Sequence, residues 1–224
     1  VFVGTMAEWF LDQRRAETPL FLQIGFPGPH PPYDPPRRWI EMYEETDIPV
    51  PHLTDEEYAL QPSAHRGYRN VMIQRNPDSV RWHHMPTSEQ LLRLRRYYAA
   101  NVSLIDHQIG RVMAALERNG YLDNCLILFT SDHGDCLGDH GHIQKWTMYD
   151  EVTKVPAFLW GPGILPATGK VDALMQQMDL VPLLFEQAGL EVEKTPMCIP
   201  ASLDPGSAGR EFVFAEHGRC NMLE

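Results

Sequence analysis

The sequence predicts an α/β protein with a mostly parallel central sheet and helices on both faces. Residues 20–26 and 125–130 are short apolar segments of the kind that form strands buried on both faces. A long amphipathic helix lies between them and another helix follows, which is the alternation typical of a parallel sheet. Of the 224 residues, 43% are hydrophobic and 22% are charged, so the composition is that of an ordinary globular protein.

The first third of the chain predicts one helix, one strand and much irregular structure. Thr5 and Glu8 have capping-box spacing, which predicts a helix from Thr5 to about Glu17. The apolar strand 20–26 follows, and six prolines in residues 27–38 then predict a stiff loop. Residues 41–86 have no sustained period, so we expect an irregular insertion with a short helix, which either shapes a binding site or is a surface elaboration.

The clearest element is a long helix in the middle of the chain. Thr87 and Gln90 form a second capping-box pair, apolar residues recur at steps of three and four from Leu91 to Leu116, and Asn119 with Gly120 ends the helix. Beyond it we expect strands at 125–130, 156–160 and 212–215, a turn at 161–163, and a helix from Asp179 to Ala188 with Asp179 as its N-cap and Gly189 just past its end.

Composition also limits the partners. The net charge of −11 argues against nucleic acid or an anionic membrane surface as a partner. No apolar run is long enough to span a bilayer, and the sequence shows no signal peptide at its start. The four Cys are widely spaced, with no CxxC pair, so neither a zinc ribbon nor a dense disulfide framework is indicated. Localisation and oligomeric state are not indicated by the sequence.

The chemistry is concentrated in residues 131–145, directly after the predicted strand 125–130. This segment holds three Asp, three His and one Lys, and ligands bind at the carboxyl ends of strands in open α/β sheets. Asp132 and His133 lie at the strand end, and Gly134 permits the turn by which both side chains could face one divalent cation. For Asp135, Asp139 and His140, an ordinary polar loop with Asp residues as turn formers explains the sequence equally well.

Two further residues are candidates for contact with an anionic substrate. Lys145 is one of only four Lys in the chain, and near a metal it could supply a fixed positive charge to a sulfate or phosphate oxygen, although a surface role is the alternative. His30 lies between prolines in the loop after strand 20–26, which restricts its backbone and suits a general acid. Both loops follow predicted buried strands, which in a parallel sheet open on the same edge.

These residues carry a resemblance to a known family. The run FTSDHGDCLGDHGHIQKWTMYDEVTKVPAFLWGPG, residues 129–163, resembles the second signature region of the sulfatases, in the alkaline-phosphatase-like superfamily of metal-dependent ester hydrolases. The run FLQIGFPGPHPPYDPP around His30 and the helix start at Asp179 are similar to that family in the expected order. The resemblance implies an alkaline-phosphatase-like fold and hydrolysis of a small-molecule or glycan sulfate ester.

The resemblance also implies a role for each candidate. Asp132 and His133 match a pair of metal ligands, with calcium the cation in most sulfatases and manganese or zinc in some relatives. At the position of His133 many sulfatases have Asn, whereas phosphonate monoester hydrolases and choline-sulfatase-like enzymes share the His. Lys145 matches the Lys that contacts the sulfate and the leaving-group oxygen, and His30 matches the His that helps to protonate the leaving group.

The sequence departs from the family at the nucleophile. Family members use a Cys or Ser in a C-x-P-S-R context, which is oxidised to formylglycine, and an Asp pair near the N-terminus as further metal ligands. Neither feature occurs here, and Cys198 in CIPAS lacks the Arg and follows the metal loop, so we interpret it as structural. We therefore expect residues 1–224 to be the middle-to-C-terminal part of one catalytic domain, incomplete and inactive alone, with its nucleophile upstream.

Two alternatives stay open at this point. A phosphonate monoester or phosphodiester hydrolase of the same superfamily would carry the same pair of residues, because Asp132 and His133 do not separate sulfate from phosphate chemistry. From a different class, the chain could be a non-catalytic metal-binding fragment.

Overall fold

The structure is a computed structural model, and it describes residues 1–14, 17–75, 86–165, 169–191, 199–204 and 206–216. Within these ranges it forms helices and two short strands, which confirms the predicted α/β class. The elements are α1 (Phe2–Asp12), α2 (Arg37–Ile40), α3 (Asp55–Leu60), α4 (Ser63–Arg75), α5 (Ser88–Arg118), β1 (Ile127–Thr130), α6 (Asp150–Thr153), β2 (Ala157–Trp160) and α7 (Leu180–Gln187).

The chain divides into two compact units. The first contains Val1–Tyr121 and Asp135–Val152, and the second contains Leu122–Gly134 and the described residues of Thr153–Cys220. Helices α1 to α5 and the first three residues of α6 therefore belong to the first unit, and β1, β2 and α7 belong to the second. None of the helices that the structure describes is both long and apolar enough to cross a membrane.

Helix α1 begins and ends earlier than predicted. It begins at Phe2, without a side-chain cap at Val1, and it ends at Asp12 rather than near Glu17. The predicted capping box is wrong because Thr5 and Glu8 bind α5 instead of the helix end. Arg111 Nη1 donates a hydrogen bond to Thr5 Oγ1 at 3.2 Å, and Arg111 also forms an ion pair with Glu8.

Helices α1 and α5 pack closely in the first unit. Leu11 is fully buried, and Ala7 is 8% exposed. A Cβ atom added at Gly4 would lie 2.6 Å from Oε1 and 2.9 Å from Cβ of Gln108, which is itself buried. Glycine at position 4 therefore permits an approach of the two helices that a larger residue would prevent.

Helix α5 confirms the predicted long helix at both ends. The amide of Gln90 donates to Thr87 Oγ1 at 3.3 Å, and the amide of Thr87 donates to Gln90 Oε1 at 2.8 Å, which completes the capping box. The last helical residue is Arg118, and Gly120 has a left-handed φ of 75°. Most of the predicted apolar face is buried or half-buried, although Val102 is 45% exposed.

The predicted strand at 20–26 is not formed in the part of the chain that the structure describes. These residues lie outside regular structure, and Phe21 is 75% exposed. An apolar segment becomes a strand only when a neighbouring strand supplies its backbone hydrogen bonds. The one sheet among the described residues is built from β1 and β2, and residues 20–26 are not part of it.

The strands β1 and β2 pair antiparallel, with Ile127 opposite Trp160 and Thr130 opposite Ala157. They match the strands predicted at 125–130 and 156–160, shortened by one or two residues at the start, and the predicted parallel arrangement is not seen in this pair. Phe129 and Phe158 stack across the pair, with ring centroids 4.8 Å apart. The predicted strand at 212–215 is wrong, since these residues form no regular structure and are exposed.

Residues 41–86 contain more regular structure than predicted. A short 3₁₀ helix at Glu41–Tyr43 is followed by α3 and α4. Residues 76–85 lie outside the described residues. Thr54 caps α3, because its Oγ1 accepts the amide hydrogen of Glu57 at 3.1 Å. The polar composition of these helices weakens their apolar period, which is why the sequence did not reveal them.

Helix α7 begins after Asp179, as predicted, but the carboxylate does not cap the helix. It accepts hydrogen bonds from the amides of Gln176 and Ile199, at 2.8 and 3.1 Å, and from Arg210 Nε at 2.6 Å. Burial would raise the pKa of Asp179, but these hydrogen bonds, led by Arg210, outweigh it and lower the pKa. Gly189 follows the helix with a φ of 72°, as expected for a residue past a helix end.

Candidate functional site

Asp132 and His133 follow β1 in the second unit, and their side chains converge. Nε2 of His133 lies 3.5 Å from Oδ2 of Asp132, and the amide of His133 donates to Oδ1 of Asp132 at 3.0 Å. Nδ1 of His133 lies 2.8 Å from the carbonyl oxygen of Gly134. A proton on Nδ1 would satisfy that carbonyl and leave the lone pair of Nε2 free, which is the tautomer that a metal-ligating histidine needs.

The ligand atoms of Asp132 and His133 and their exposure to solvent fit a divalent cation. The side chain of Asp132 is 85% exposed and that of His133 is 31% exposed, so a cation could approach both. A carboxylate oxygen is a ligand for calcium, manganese and zinc, and an imidazole nitrogen is a ligand for transition metals such as zinc. No group of three or more His, Cys, Asp and Glu among the described residues is arranged to hold a metal ion, so the pair alone would form an incomplete site.

Gln177 stabilises the backbone that carries Asp132 and His133. Its side-chain amide donates to the carbonyl oxygen of Ser131 and, at 3.1 Å, to that of Asp132. The hydroxyl of Ser131 donates to the carbonyl oxygen of His133 at 2.9 Å. These three hydrogen bonds hold the turn after β1. Gln177 was not apparent from the sequence, because it lies far along the chain from the residues that it binds.

His30 lies in the proline-rich loop of the first unit, where its side chain is exposed. The amide of His30 donates to the carbonyl oxygen of Pro27 at 3.3 Å, and Nδ1 lies 2.8 Å from the carbonyl oxygen of Pro31. With a proton on Nδ1, the imidazole is held on its own loop and Nε2 points away from that contact. Nε2 is then the atom that could donate or accept a substrate proton.

Lys145 lies in the same unit, near the end of the loop that follows Asp135. Its side chain is half-buried, and Nζ lies 5.9 Å from the ring centroid of Trp146. The amide of Thr147 donates to the carbonyl oxygen of Lys145 at 2.9 Å. At this distance the aromatic ring attracts the ammonium, which helps to hold the side chain over the face of Trp146.

Asp139 and His140 of this loop have partners on three helices. Arg95 of α5 pairs with Asp139 at 2.6 Å. His140 lies between two carboxylates, with Nδ1 2.6 Å from Glu57 of α3 and Nε2 3.3 Å from Glu151 of α6. These contacts favour the structural alternative for Asp139 and His140, and they anchor the loop that carries Lys145.

Asp135 has a different set of partners. Its Oδ2 accepts a hydrogen bond from the hydroxyl of Tyr33 at 2.6 Å, and its Oδ1 accepts from the amides of Leu137 and Gln144, each at 2.9 Å. Tyr33 belongs to the proline-rich loop of His30, so a single carboxylate joins that loop to the backbone next to Lys145. The sequence did not reveal this bond, because it joins residues 102 positions apart.

The structure thus brings Asp132 and His133 together in the second unit and joins the loops of His30 and Lys145 in the first. The candidate Cys198 lies outside the described residues. Of the described cysteines, Cys125 and Cys136 are free, and burial raises the pKa of the Cys136 thiol to about 12, so it remains protonated and is no nucleophile at neutral pH.

A family model described as Sulfatase matches residues 3–190. The chain is 30% identical over 214 residues to an arylsulfatase of Clostridium perfringens, covering 93% of this chain and 42% of the relative. It is 34% identical over 194 residues to a choline-sulfatase of Rhizobium meliloti, covering 86% of this chain and 36% of the relative. The chain therefore spans about two fifths of the length of these relatives.

Solved structures show the same likeness in the fold. A phosphonate monoester hydrolase from Silicibacter pomeroyi superposes with a TM-score of 0.74 at 29% identity, covering 88% of this chain and 39% of that chain. The superposition supports the alkaline-phosphatase-like arrangement expected from the resemblance.

Proposed function

The chain belongs to the sulfatase family, and on that premise we propose that it forms part of the catalytic domain of a metal-dependent hydrolase that cleaves a sulfate ester. The convergence of Asp132 and His133 at the end of β1 is the observation that carries the proposal. The relatives include an arylsulfatase and a choline-sulfatase, which supports a small-molecule or glycan sulfate ester as the substrate. The nucleophile and the remaining metal ligands would come from sequence outside these 224 residues.

Members of the family are generally metal-dependent. We propose that Asp132 Oδ2 and His133 Nε2 ligate a divalent cation, with calcium first and manganese or zinc as alternatives. When bound, the cation would neutralise negative charge on the ester oxygens. The turn held by Gln177 would keep the two donor atoms converged before the cation arrives, which reduces the cost of ordering them.

His30 and Lys145 would act on the substrate itself. As the bond between sulfur and the leaving oxygen breaks, protonated His30 would donate its Nε2 proton to that oxygen, so an alcohol leaves rather than an alkoxide. The ammonium of Lys145 would stabilise negative charge on the sulfate and on the leaving oxygen. Both residues belong to the same unit, and both loops are held through contacts within that unit.

The metal role can be tested in the full-length protein that contains these residues. Substitution Asp132→Asn keeps the size of the side chain but removes its charge, so we expect the bound metal and the turnover of an aryl sulfate to fall, turnover by at least about 100-fold. The matched control is Asp123→Asn, which changes an exposed Asp in the same unit. Metal content and turnover equal to those of the wild type in Asp132→Asn would contradict the proposal.

A second candidate function is hydrolysis of phosphonate monoesters or phosphodiesters. The likeness to the phosphonate monoester hydrolase from Silicibacter pomeroyi favours it, and so does the imidazole at His133. Rates of the full-length enzyme on an aryl sulfate and on the phosphonate ester with the same leaving group would separate the two functions. A higher kcat/KM for the phosphonate would replace the sulfatase assignment with this one.

A further inference from the structure

Asp135 holds together the two loops that carry His30 and Lys145. It is half-buried, and its carboxylate accepts hydrogen bonds from Tyr33 Oη at 2.6 Å and from the amides of Leu137 and Gln144 at 2.9 Å. Tyr33 is the third residue after His30, and Gln144 directly precedes Lys145. One carboxylate therefore contacts both the loop of His30 and the backbone next to Lys145.

The loop of Lys145 is closed without help from Tyr33. The amide of Cys136 donates to the carbonyl oxygen of Gln144 at 3.0 Å, and the amide of Gly138 donates to that of His142 at 2.7 Å. Arg95 further anchors the loop through Asp139. The loop of Lys145 is thus already closed by its own contacts. The hydrogen bond between Tyr33 and Asp135 aligns this loop with the loop of His30.

We propose that Asp135, through Tyr33, is a positioning residue that aligns Lys145 with His30 at the leaving-group oxygen. The inference rests on the function proposed above, in which His30 protonates this oxygen and Lys145 stabilises its charge. Proton transfer and charge stabilisation both depend on placement within a fraction of an ångström. Loosening the junction should therefore damage departure of the leaving group more than binding of the sulfate.

This role predicts that the loss of rate depends on the leaving group of the sulfate ester. A good leaving group, such as 4-nitrophenol, departs with little need of a proton, whereas phenol depends on general acid catalysis. A misaligned acid and cation should therefore slow the ester of phenol far more than the ester of 4-nitrophenol. A residue that merely stabilises the fold would lower both rates by the same factor.

The test uses the full-length enzyme with the substitution Tyr33→Phe, which removes the hydroxyl and keeps the ring that packs edge-on against Tyr98. We expect kcat/KM to fall about 10-fold for phenyl sulfate and less than about 3-fold for 4-nitrophenyl sulfate. The matched control is Tyr43→Phe, which removes another hydroxyl in the same unit, bonded to Ser103 Oγ at 2.6 Å. Tyr43→Phe should leave both rates unchanged.

A second measurement does not depend on turnover. In Asp135→Ala, hydrogen exchange at the amides of Leu137 and Gln144 should become faster, because both lose their acceptor. Equal losses on the two esters in Tyr33→Phe, no loss on either, or unchanged exchange in Asp135→Ala would overturn the inference. Inactivity of the wild type on every ester would contradict the proposed function instead, and the exchange result would then decide alone whether Asp135 orders the loop of Lys145.

Discussion

At the scale of single residues, His142 is a buried histidine whose imidazole is uncharged at neutral pH. It is 2% exposed, and its ring lies 5.8 Å from that of His65. Burial, and then the positive charges of His65, Arg69 and His140, lower the pKa of His142 to about 4. Its protonated form is therefore strongly disfavoured in the folded protein, while the unfolded chain accepts a proton near pH 6.5.

This difference predicts a loss of stability in acid. The pKa of His142 is lower in the folded state, so its contribution to the free energy of unfolding is complete above pH 6.5 and is lost as the pH falls towards about 4. The loss should reach about 3 kcal/mol, since one pKa unit corresponds to about 1.4 kcal/mol. Urea unfolding followed across this pH range would measure it.

The variant His142→Asn removes the titrating group and should flatten the pH dependence. Substitution of the exposed His52 by Asn in the same unit is the control and should leave the slope intact. If His142→Asn and the wild type lose stability in parallel between pH 6.5 and 4, other groups are responsible and the prediction fails.

The candidate site residues differ in how far the sequence could reveal them. Asp132, His133 and Lys145 form a local pattern after a strand, and such a pattern needs no knowledge of distant contacts. Tyr33 and Gln177 gain their importance from hydrogen bonds to residues far along the chain, at Asp135 and Asp132. Only folding brings these partners together, so neither residue stands out from its sequence neighbours.

At the scale of elements, the contact of α1 with α5 predicts opposite effects for two glycines. Alanine at Gly4 would place Cβ within 2.6 Å of buried Gln108, so Gly4→Ala should destabilise the protein by about 1–3 kcal/mol despite its better helix propensity. Gly110 of α5 has open space around it, so Gly110→Ala should stabilise by up to about 1 kcal/mol. Thermal or urea unfolding of both variants would measure the difference, and destabilisation by both would refute it.

Elements defined by local interactions were predictable, and those defined by partners were not. Helix α5 carries its own capping box and its own apolar period, so the sequence predicted both of its ends. The Thr5 and Glu8 pair has the same spacing, but Arg111 engages both side chains and the helix begins at Phe2. Residues 20–26 have the composition of a buried strand, yet a strand also needs a neighbour to pair with.

At the scale of the whole molecule, much apolar surface is exposed. Large apolar side chains at the surface include Phe2, Trp9, Phe21, Phe158 and Phe214, each more than half exposed. Phenylalanine is among the residues most often buried in a folded domain, and tryptophan is highly buried on average. This surface agrees with a chain that spans about two fifths of the length of its relatives, whose remaining parts could cover it.

The proposed function predicts how the 224 residues behave alone. Asp132 and His133 supply two ligands, and no third His, Cys, Asp or Glu among the described residues joins them, so the isolated chain should bind calcium weakly, with Kd no tighter than about 10⁻⁴ M. It should also show no turnover of aryl sulfates, because the sequence holds no C-x-P-S-R nucleophile motif. Titration calorimetry and a turnover assay, each run beside the full-length protein, would check both points. A micromolar isotherm or measurable turnover for the isolated chain would mean that residues within it complete the site, and the division of the catalytic machinery proposed above would then be wrong.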